Sequence, residues 1–390
     1  MSRSDPPCAP VGSRRRFLEA LVSLAALAAT FTPGVAQANT RTRTKAPARG
    51  ADRAFGLTPA IVAFSADVAA RTGIPALWIR GHLAKARRLA AVQRLVMPPP
   101  AGQAKNWSAY RARFIEPQRT AAGLAFWQQH AALLARAEAQ YGVPAAVVVA
   151  VIGIETYFGR IVGNFRVIDA LVTLSFAFPT GRSDRSAFFR DELEALFVWT
   201  HRESLDPASV RGSFAGALGL PQFMPGSLLR HAVDYDGDAH IDLRASVADA
   251  IGSVAHFLVN HGWQRGLAVQ MAVDPPANPT ALSILLAPDI EPSFDAERLT
   301  ALGVRLLPDQ VGPGRPFGTG PLAFVRLENG YDTSPTDVVA TKNFWVITRY
   351  NRSSYYALAV AEFAEVLDRE RQRLSAAVPG ATDPAPAPGR

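Results

Sequence analysis

The sequence predicts a mainly α-helical fold of the α+β class, and three patterns carry that prediction. Apolar residues recur at helical spacing over residues 55–96 and 107–141. Residues 143–154 contain no polar side chain, so a helix there is expected to lie in the core. After residue 266, short apolar runs are separated by Pro and Gly clusters, which indicates a small β-rich module.

The first 38 residues have the pattern of an export signal. Residues 13–19 read S-R-R-R-F-L-E and match the twin-arginine pattern S-R-R-x-F-L-K except at Glu19. The apolar run 20–31 is too short to span a membrane comfortably, and residues 36–38 read A-Q-A, a small-x-small cleavage sequence. We therefore expect a periplasmic protein that begins near Asn39 and has no stable membrane anchor.

The composition limits the chemistry of the mature chain. Cys8, the only cysteine, leaves with the signal, which excludes disulfides and a thiol nucleophile. Loss of four Arg and two acidic residues leaves 37 basic and 31 acidic residues, a formal net charge of +6 that suits an anionic polymer. No basic cluster is interleaved with aromatic residues, so nucleic acid is not an expected partner. Zinc, P-loop and Rossmann motifs are also absent from the sequence.

The N-terminal half of the mature chain divides into three predicted parts. Residues 39–54 are rich in Thr, Arg, Lys and Ala without periodicity and are expected to be a linker. Residues 55–142 form a helical region that the Pro run 98–100 interrupts. Residues 143–265 form the core region, with further helices at 191–203 and 248–261.

The C-terminal part changes character. Strands are predicted at 268–273, 322–328 and 343–348, within a β-rich module over residues 266–348. Residues 349–373 return to a helical pattern, which we expect to lie against the core. The Ala/Pro-rich tail 374–390 is predicted to be disordered.

One carboxylate, Glu155, stands at the end of the apolar helix. Pro144 suits the first turn and Gly159 is a natural C-terminal stop, so Glu155 belongs to the last turn, where the helix dipole disfavours negative charge. Apolar surroundings act in the same direction and raise a carboxyl pKa. A carboxyl group that stays protonated near neutral pH can serve as a general acid. The alternative is a structural Glu paired with Arg160 or Arg166.

Residues 212–225 read G-S-F-A-G-A-L-G-L-P-Q-F-M-P. Three closely spaced glycines would let the backbone approach a ligand. Ser213 and Gln222 offer neutral hydrogen bonds, while Phe214 and Phe223 offer flat apolar faces. This combination suits a sugar better than a phosphate or a metal ion.

Four segments together resemble one family. They are I-G-I-E-T at 152–156, D-A-L-x-T-L-S-F at 169–176, the segment 212–225 and D-A-I-G-S-V-A at 249–255. They closely resemble the lytic murein transglycosylases of the membrane-bound B family, and the resemblance covers residues 107–361. It implies a lysozyme-like helical core with a small β domain, and peptidoglycan glycan strands as the substrate. We expect a monomer, with other cell-wall enzymes as possible partners.

The resemblance implies a reaction with a single acid. Glu155 would protonate the oxygen between N-acetylmuramic acid and N-acetylglucosamine, then take the proton from the muramic acid 6-hydroxyl, leaving a 1,6-anhydro end. No cofactor is required for this chemistry. Two alternatives stay open: a hydrolytic muramidase that uses Asp169 or Asp191 as a second acid, and a peptidoglycan-binding protein without activity.

The resemblance also implies substrate contacts outside residues 212–225. Arg185, in the loop 179–186, and Tyr110 match cleft positions of the family. The segment Y-N-R-S-S-Y-Y at 350–356 resembles the family's Y-N-x-S-x-Y-Y, whose sugar-contacting positions are here Tyr350, Asn351 and Tyr356. The alternatives are a solvated loop arginine for Arg185 and ordinary helix packing for Tyr110.

An acidic loop has the spacing of a calcium loop. Carboxylates at positions 1, 3, 5 and 9 of that pattern are Asp234, Asp236, Asp238 and Asp242. His240, at position 7, would ligate through its backbone carbonyl, whereas Ala239 and Ala245 depart from the pattern at positions 6 and 12. The resemblance implies that Asp249 closes a longer loop instead. We expect a structural Ca²⁺ here, and the alternative is an Asp-rich turn held by its own hydrogen bonds.

Overall fold

The computed structural model describes residues 53–98, 104–307 and 320–377. The predicted signal peptide, nearly all of the predicted linker and the end of the predicted tail lie outside these residues. Within them the chain forms fifteen helices and eight short strands. The mainly helical fold class predicted from the sequence is confirmed.

The helices are α1 Pro59–Thr72, α2 Ala76–Leu83, α3 Ala90–Leu95, α4 Trp107–Ala112, α5 Pro117–Gln129, α6 Ala131–Tyr141, α7 Ala145–Thr156, α8 Val167–Phe176, α9 Ser186–Arg202, α10 Pro225–His231, α11 Val247–Asn260, α12 Pro279–Leu286, α13 Ala296–Ala301, α14 Lys342–Tyr350 and α15 Ser354–Ala377. The strands are β1 Arg53–Ala54, β2 Arg87–Arg88, β3 Phe165–Arg166, β4 Arg211–Gly212, β5 Gln270–Asp274, β6 Arg305–Leu306, β7 Ala323–Leu327 and β8 Thr336–Ala340.

Helix α7 occupies the centre of the core. Every residue from 145 to 154 is buried, as the absence of polar side chains predicts, and the helix packs against α5, α6, α11 and α15. Pro144 is the N-cap residue and precedes the first turn. Gly153 is needed for close packing, because a Cβ there would lie 2.6 Å from Cζ of Phe158 and 2.9 Å from Cε1 of Phe363.

The C-terminal end of α7 differs from the prediction. The helix ends at Thr156, and Tyr157, with φ 51°, forms the left-handed cap that we expected Gly159 to supply. Phe158 also has a left-handed backbone, with φ 56°. The ring of Phe158 packs against Phe126, with ring centroids 5.2 Å apart. Tertiary packing therefore holds a backbone conformation that glycine adopts more easily.

The two long helical regions of the N-terminal part are each divided into three helices. Residues 55–96 form α1 to α3, and residues 107–141 form α4 to α6. Side-chain caps mark several of the breaks; Asn106 accepts a hydrogen bond from Ala109 N, and Glu116 accepts from Arg119 N. Further along, α9 begins at Ser186, five residues before its predicted start.

Four strands form an antiparallel sheet in the order β6-β5-β8-β7, with Met271 opposite Val339 and Val325 opposite Val338. Alternate residues of the sheet serve two cores. Val325 and Val338 pack into the large helical core, whereas residues on the other face pack into a smaller core with α12 and α13. The strands predicted at 268–273 and 322–328 correspond to β5 and β7.

The strand predicted at 343–348 is wrong, because these residues lie in α14. The Thr341 hydroxyl accepts a hydrogen bond from Asn343 N and caps the helix. Helix α15 extends to residue 377, so residues 374–377 of the predicted disordered tail are helical. Buried side chains on α14, including Phe344 and Ile347, fix its apolar face against the core.

Within the described ranges, no single helix has the length and hydropathy needed to cross a membrane. Helices α6 and α7 satisfy the criterion only as a pair that is bent by 116°.

Candidate active site

Glu155 lies in the last turn of α7, where the sequence predicted it. The residue is partly exposed, yet its carboxyl group is desolvated enough that burial raises the pKa of Glu155 to about 7. The Tyr356 hydroxyl donates a hydrogen bond to Glu155 Oε1 at 2.7 Å and lowers this pKa in part. The predicted alternative partners bind elsewhere: Arg166 pairs with Asp169, and the Arg160 guanidinium lies over the Tyr157 ring.

A group of tyrosines surrounds Glu155. Tyr356 is fully buried, and Tyr350 stacks on it with ring centroids 6.2 Å apart and an interplanar angle of 16°. Burial and the nearby Glu155 charge raise the pKa of both hydroxyls well above the usual value, so both stay neutral donors. Tyr110 contributes to the raised pKa of Tyr356, and its ring packs on Trp107.

The glycine-rich segment 212–225 is fastened to the end of α7. The Thr156 hydroxyl, next to Glu155, hydrogen-bonds Leu220 O at 3.0 Å, and the Tyr350 hydroxyl donates to Pro221 O at 2.6 Å. The Gln222 amide donates to Gly219 O at 2.9 Å and to Val162 O at 3.3 Å. These bonds hold the segment and α7 in one fixed arrangement.

Ser213 lies at the start of the same segment. Its hydroxyl oxygen accepts hydrogen bonds from Ala215 N and Ala217 N, which leaves its proton to donate. The sequence predicted that the three glycines let the backbone approach a ligand. The structure does not support this purpose, because each glycine lies against other residues of the same chain. An added Cβ would collide with Ala217 at Gly212, with Leu171 at Gly216 and with Leu243 at Gly219.

Phe223 is not available as a flat sugar-binding face. The side chain is 2% exposed, and its ring packs against Phe257 at 5.4 Å and Tyr350 at 5.7 Å between centroids. It is a core residue that supports Tyr350. Phe214 is partly buried against the same core.

Two other predicted substrate residues have no described contact with Glu155. Asn351 is buried, at 8% exposure, and follows the last residue of α14. Arg185 is the N-cap residue of α9, and its guanidinium lies over the rings of Phe188 and Phe189, 4.6 and 5.6 Å from their centroids.

The two acids considered for a hydrolytic mechanism have different surroundings. Asp169 is buried at 3% exposure, and its Oδ1 accepts a hydrogen bond from Arg87 N at 3.0 Å. Burial raises the pKa of Asp169, against the opposing effect of that bond and of Arg166. Asp191 is exposed on α9.

Sequence reasoning missed two buried polar residues. Thr156 stands within the I-G-I-E-T motif, which could have identified it. Glu192 is a buried glutamate whose Oε2 accepts a hydrogen bond from Gly226 N at 2.7 Å, and burial raises the pKa of Glu192. It ties α9 to the first residues of α10.

The acidic loop brings three of its predicted ligands together. Carboxylate oxygens of Asp234, Asp236 and Asp249 lie within 4.8 Å of one another. Asp238 is not in this group, and its Oδ1 accepts a hydrogen bond from His240 N at 2.8 Å. Three adjacent carboxylates form an oxygen donor set that suits a hard cation such as Ca²⁺.

Asp249 is built into the loop in a way that fits this role. Its two oxygens accept hydrogen bonds from Tyr235 N and Asp242 N, at 2.7 and 2.8 Å. Burial raises the pKa of Asp249, and the charges of Asp236 and Asp234 raise it further. A bound cation would relieve this repulsion, so the residues present fit a cation.

Comparison with known proteins gives consistent matches over most of the chain. The model of the family described as "Transglycosylase SLT domain" matches residues 57–365. The chain is 38% identical over 296 residues to membrane-bound lytic murein transglycosylase B of Escherichia coli (strain K12), which is 73% of this chain and 76% of that protein.

Solved structures show the same likeness. Soluble lytic transglycosylase SltB1 from Pseudomonas aeruginosa is 36% identical, with a TM-score of 0.71, and the match covers 80% of this chain and 100% of that chain. The Escherichia coli lytic transglycosylase Slt35, in a structure with calcium, is 34% identical, with a TM-score of 0.68, and the match covers 80% of this chain and 94% of that chain.

Proposed function

Because the chain belongs to the transglycosylase SLT domain family and is a lytic transglycosylase that acts on peptidoglycan, we propose that Glu155 is its single catalytic acid and base. The observation that carries this proposal is the raised pKa of Glu155, about 7, at the partly exposed end of a buried helix. A group with this pKa can both give and take a proton near neutral pH.

The proposed reaction consumes no water. Protonated Glu155 gives its proton to the oxygen that links N-acetylmuramic acid to N-acetylglucosamine, and the bond from that oxygen to C1 breaks. The Glu155 carboxylate then takes the proton of the muramic acid 6-hydroxyl, whose oxygen forms a new bond to C1. The acid form is restored, and the new glycan end is a 1,6-anhydro ring.

Tyr356 is the positioning residue for this proton transfer. Its hydroxyl is a neutral donor, since its pKa is raised well above the usual value. A hydrogen bond to the carboxylate stabilises Glu155 after it has given up its proton. The bond to Oε1 also fixes the plane of the carboxyl group, with Oε2 left for the substrate.

Substrate orientation is assigned to the polar groups near this site. Ser213 has a hydroxyl proton to donate to an acetamido carbonyl, and the Gln222 amide is held by two backbone carbonyls. Tyr110, Tyr350 and Asn351 would contact the sugar rings. Arg185 would meet the anionic peptide part of the polymer.

For the acidic loop we propose a structural Ca²⁺ held by Asp234, Asp236 and Asp249, with Asp238 and the His240 carbonyl completing the shell. Support comes from the three converging carboxylates and from the calcium complex of the Slt35 relative. The ion would link the loop to α11, which Asp249 joins. No role in the proton transfers is assigned to it.

We also propose that the protein acts in the periplasm as a monomer, after twin-arginine export and cleavage near Ala38. The support is the sequence of residues 13–38 and the cell-wall substrate of the family. Other cell-wall enzymes are the proposed partners.

The masses of the products test the one-acid reaction against a hydrolytic one. Peptidoglycan digested by the wild type should yield glycan ends that are one water lighter than hydrolysed ends. Asp169→Asn and Asp191→Asn should give the same anhydro ends if they fold, because neither acid takes part. Hydrolysed ends from the wild type, or loss of cleavage in the folded Asp191→Asn variant, would contradict the proposal.

A further inference from the structure

We propose that a cavity beside the glycine-rich segment binds a small organic carboxylate. The cavity has a volume of about 430 Å³. Its walls come from the end of α9, residues 205 and 209–211, residues 218–219, α10 and residues 240–244 of the acidic loop. Neither Glu155 nor Tyr356 lines it, so it is separate from the catalytic site proposed above.

The first observation is a buried hydrogen-bond donor. Trp199 lines the cavity and is 9% exposed. Its indole N–H is buried and has no hydrogen-bond partner among the described residues. Buried donors in native proteins are almost always paired, with the chain, with water or with a ligand. An indole N–H can only donate, so its partner must bring an acceptor.

The second observation is the charge on the cavity walls. Arg211 and Arg244 line the cavity, and within the described ranges neither forms an ion pair. The charge of Arg211 nevertheless lowers the pKa of Asp169. The two acids on the walls already accept hydrogen bonds from within the chain. Glu203 accepts from Arg202 at 2.9 Å, and Asp242 Oδ1 accepts from two backbone N–H groups. One N–H donor and two available guanidiniums therefore favour an anionic acceptor.

The rest of the cavity wall favours a ligand with an apolar body. It is mostly aliphatic and is formed by Leu205, Val210, Leu218, Leu228, Ile241 and Leu243. The volume lies in the range of small-molecule sites, about 300–1,000 Å³. A carboxylate on a short apolar body fits this lining, and it can come from the C-terminus of a peptide or from a free organic acid.

The cavity lies where the acidic loop meets the glycine-rich segment, so a bound ligand would affect how the two are joined. Leu220 N donates to Leu243 O at 2.8 Å, and Gly219 O accepts from the Gln222 amide. Gly219 and Leu243 both line the cavity. A bound carboxylate would therefore brace the joint between the acidic loop and the segment that carries Gln222.

The indole resonance of Trp199 reports on binding directly. The chain has six tryptophans, and Trp199→Phe assigns the Trp199 cross-peak in a ¹⁵N spectrum of the full protein. The probes are N-acetyl-D-alanyl-D-alanine, its C-terminal amide, and butyrate. We expect a saturable shift of the Trp199 cross-peak with the dipeptide acid and none with the amide. A shift with butyrate of equal affinity assigns the site to free organic acids, and a shift with the dipeptide alone assigns it to peptide ends.

Variants complete the test. Arg211→Gln and Arg244→Gln should each weaken binding about tenfold, as expected for loss of a charge-assisted hydrogen bond. Arg298→Gln, at an exposed position of α13, should not weaken it. The indole of Trp263 already donates to Gly142 O and is the internal reference, so its cross-peak should not shift. A Trp199 cross-peak that no probe moves, or an equal response to acid and amide, would overturn the proposal and leave water as the partner of Trp199.

Discussion

At the scale of single residues, two opposing effects set the acidity of Glu155. Burial raises its pKa, and the hydrogen bond from Tyr356 lowers it, with a result of about 7. The carboxyl group is therefore divided between its acid and base forms near neutral pH. This balance is what a group needs when it acts first as an acid and then as a base.

Tyr356→Phe tests the contribution of that hydrogen bond. Removing a donor that stabilises the carboxylate raises the pKa of Glu155, so the fall in kcat/KM with rising pH should move to higher pH. Cleavage at the wild-type optimum should fall roughly tenfold, the value of one hydrogen bond. The measurement is the pH profile of glycan cleavage.

Tyr355→Phe is the matched control, because its hydroxyl donates to Glu328 O instead. Its profile should coincide with that of the wild type. If the Tyr356→Phe profile keeps the wild-type limb, or moves it to lower pH, the hydrogen bond does not set the acidity of Glu155.

The sequence could predict the position of Glu155 but not its surroundings. A run of apolar residues is a local pattern, so the burial of α7 and the place of Glu155 in its last turn follow from it. Tyr356 is 201 residues away along the chain, and only the folded structure brings its hydroxyl to Oε1. Phe223 shows the opposite outcome. Its motif predicted a sugar-binding ring, but the ring is buried in the core.

At the scale of elements, the acidic loop and α11 form one unit. Ser246 caps α11 by accepting from Asp249 N, and its hydroxyl donates to Asp236 Oδ2 at 2.7 Å. The same two acids belong to the carboxylate group of the loop. The spacing of acids predicted the loop, whereas the choice of which carboxylates converge depends on the docking of α11.

Calcium binding is expected to stabilise the folded protein. At about 100 times the dissociation constant the gain is about 2.7 kcal/mol, because the ion binds the folded state only. Asp236→Asn should abolish this gain, since it removes one of the three converging charges. The measurement is the Tm with and without Ca²⁺.

The control is Asp289→Asn, an exposed acid outside the loop, which should keep the full gain. An unchanged wild-type Tm at saturating Ca²⁺ would mean that the acidic loop is only a turn.

The residues around position 345 show why element type can be misassigned. Phe344, Val346 and Thr348 alternate with other residues and favour a strand when taken alone. The Thr341 cap and the burial of Phe344 with Ile347, three residues apart, instead stabilise α14. Here tertiary packing outweighs local propensity.

At the scale of the whole molecule, the small sheet joins two cores. One face of β7 and β8 packs into the helical core and the other into the small core with α12 and α13. A β-rich module could be predicted from short apolar runs and turn residues. Strand order could not, because β5 and β8 pair across more than sixty residues of intervening chain.

Export moves the whole chain, and we expect it to depend on the twin-arginine pattern at residues 13–19. Replacing Arg14 and Arg15 with Lys should leave the protein in the cytoplasm, since the twin-arginine pathway reads that pair. Fractionation of cells that express the variant measures this outcome. Unchanged export would indicate the general secretion route instead.

Glu155→Gln should not unfold the protein, which makes its activity interpretable. The pKa of Glu155 rises from 4.5 to about 7 on folding, so the folded state favours the protonated form. This group therefore contributes its full stability below about pH 4.5 and loses it as the pH rises to about 7. At about pH 8, Glu155→Gln should be more stable than the wild type by up to roughly 3 kcal/mol, and the difference should vanish at low pH.

Release of 1,6-anhydromuropeptides by Glu155→Gln is the most direct test of the single-acid account. The amide keeps the shape of the side chain but cannot deliver a proton, so the rate should fall by at least about 10²–10⁴-fold. Glu192→Gln, the matched change at a buried glutamate that accepts a hydrogen bond from Gly226 N, should keep activity. A Glu155→Gln protein that releases anhydro product at a near wild-type rate would contradict the account.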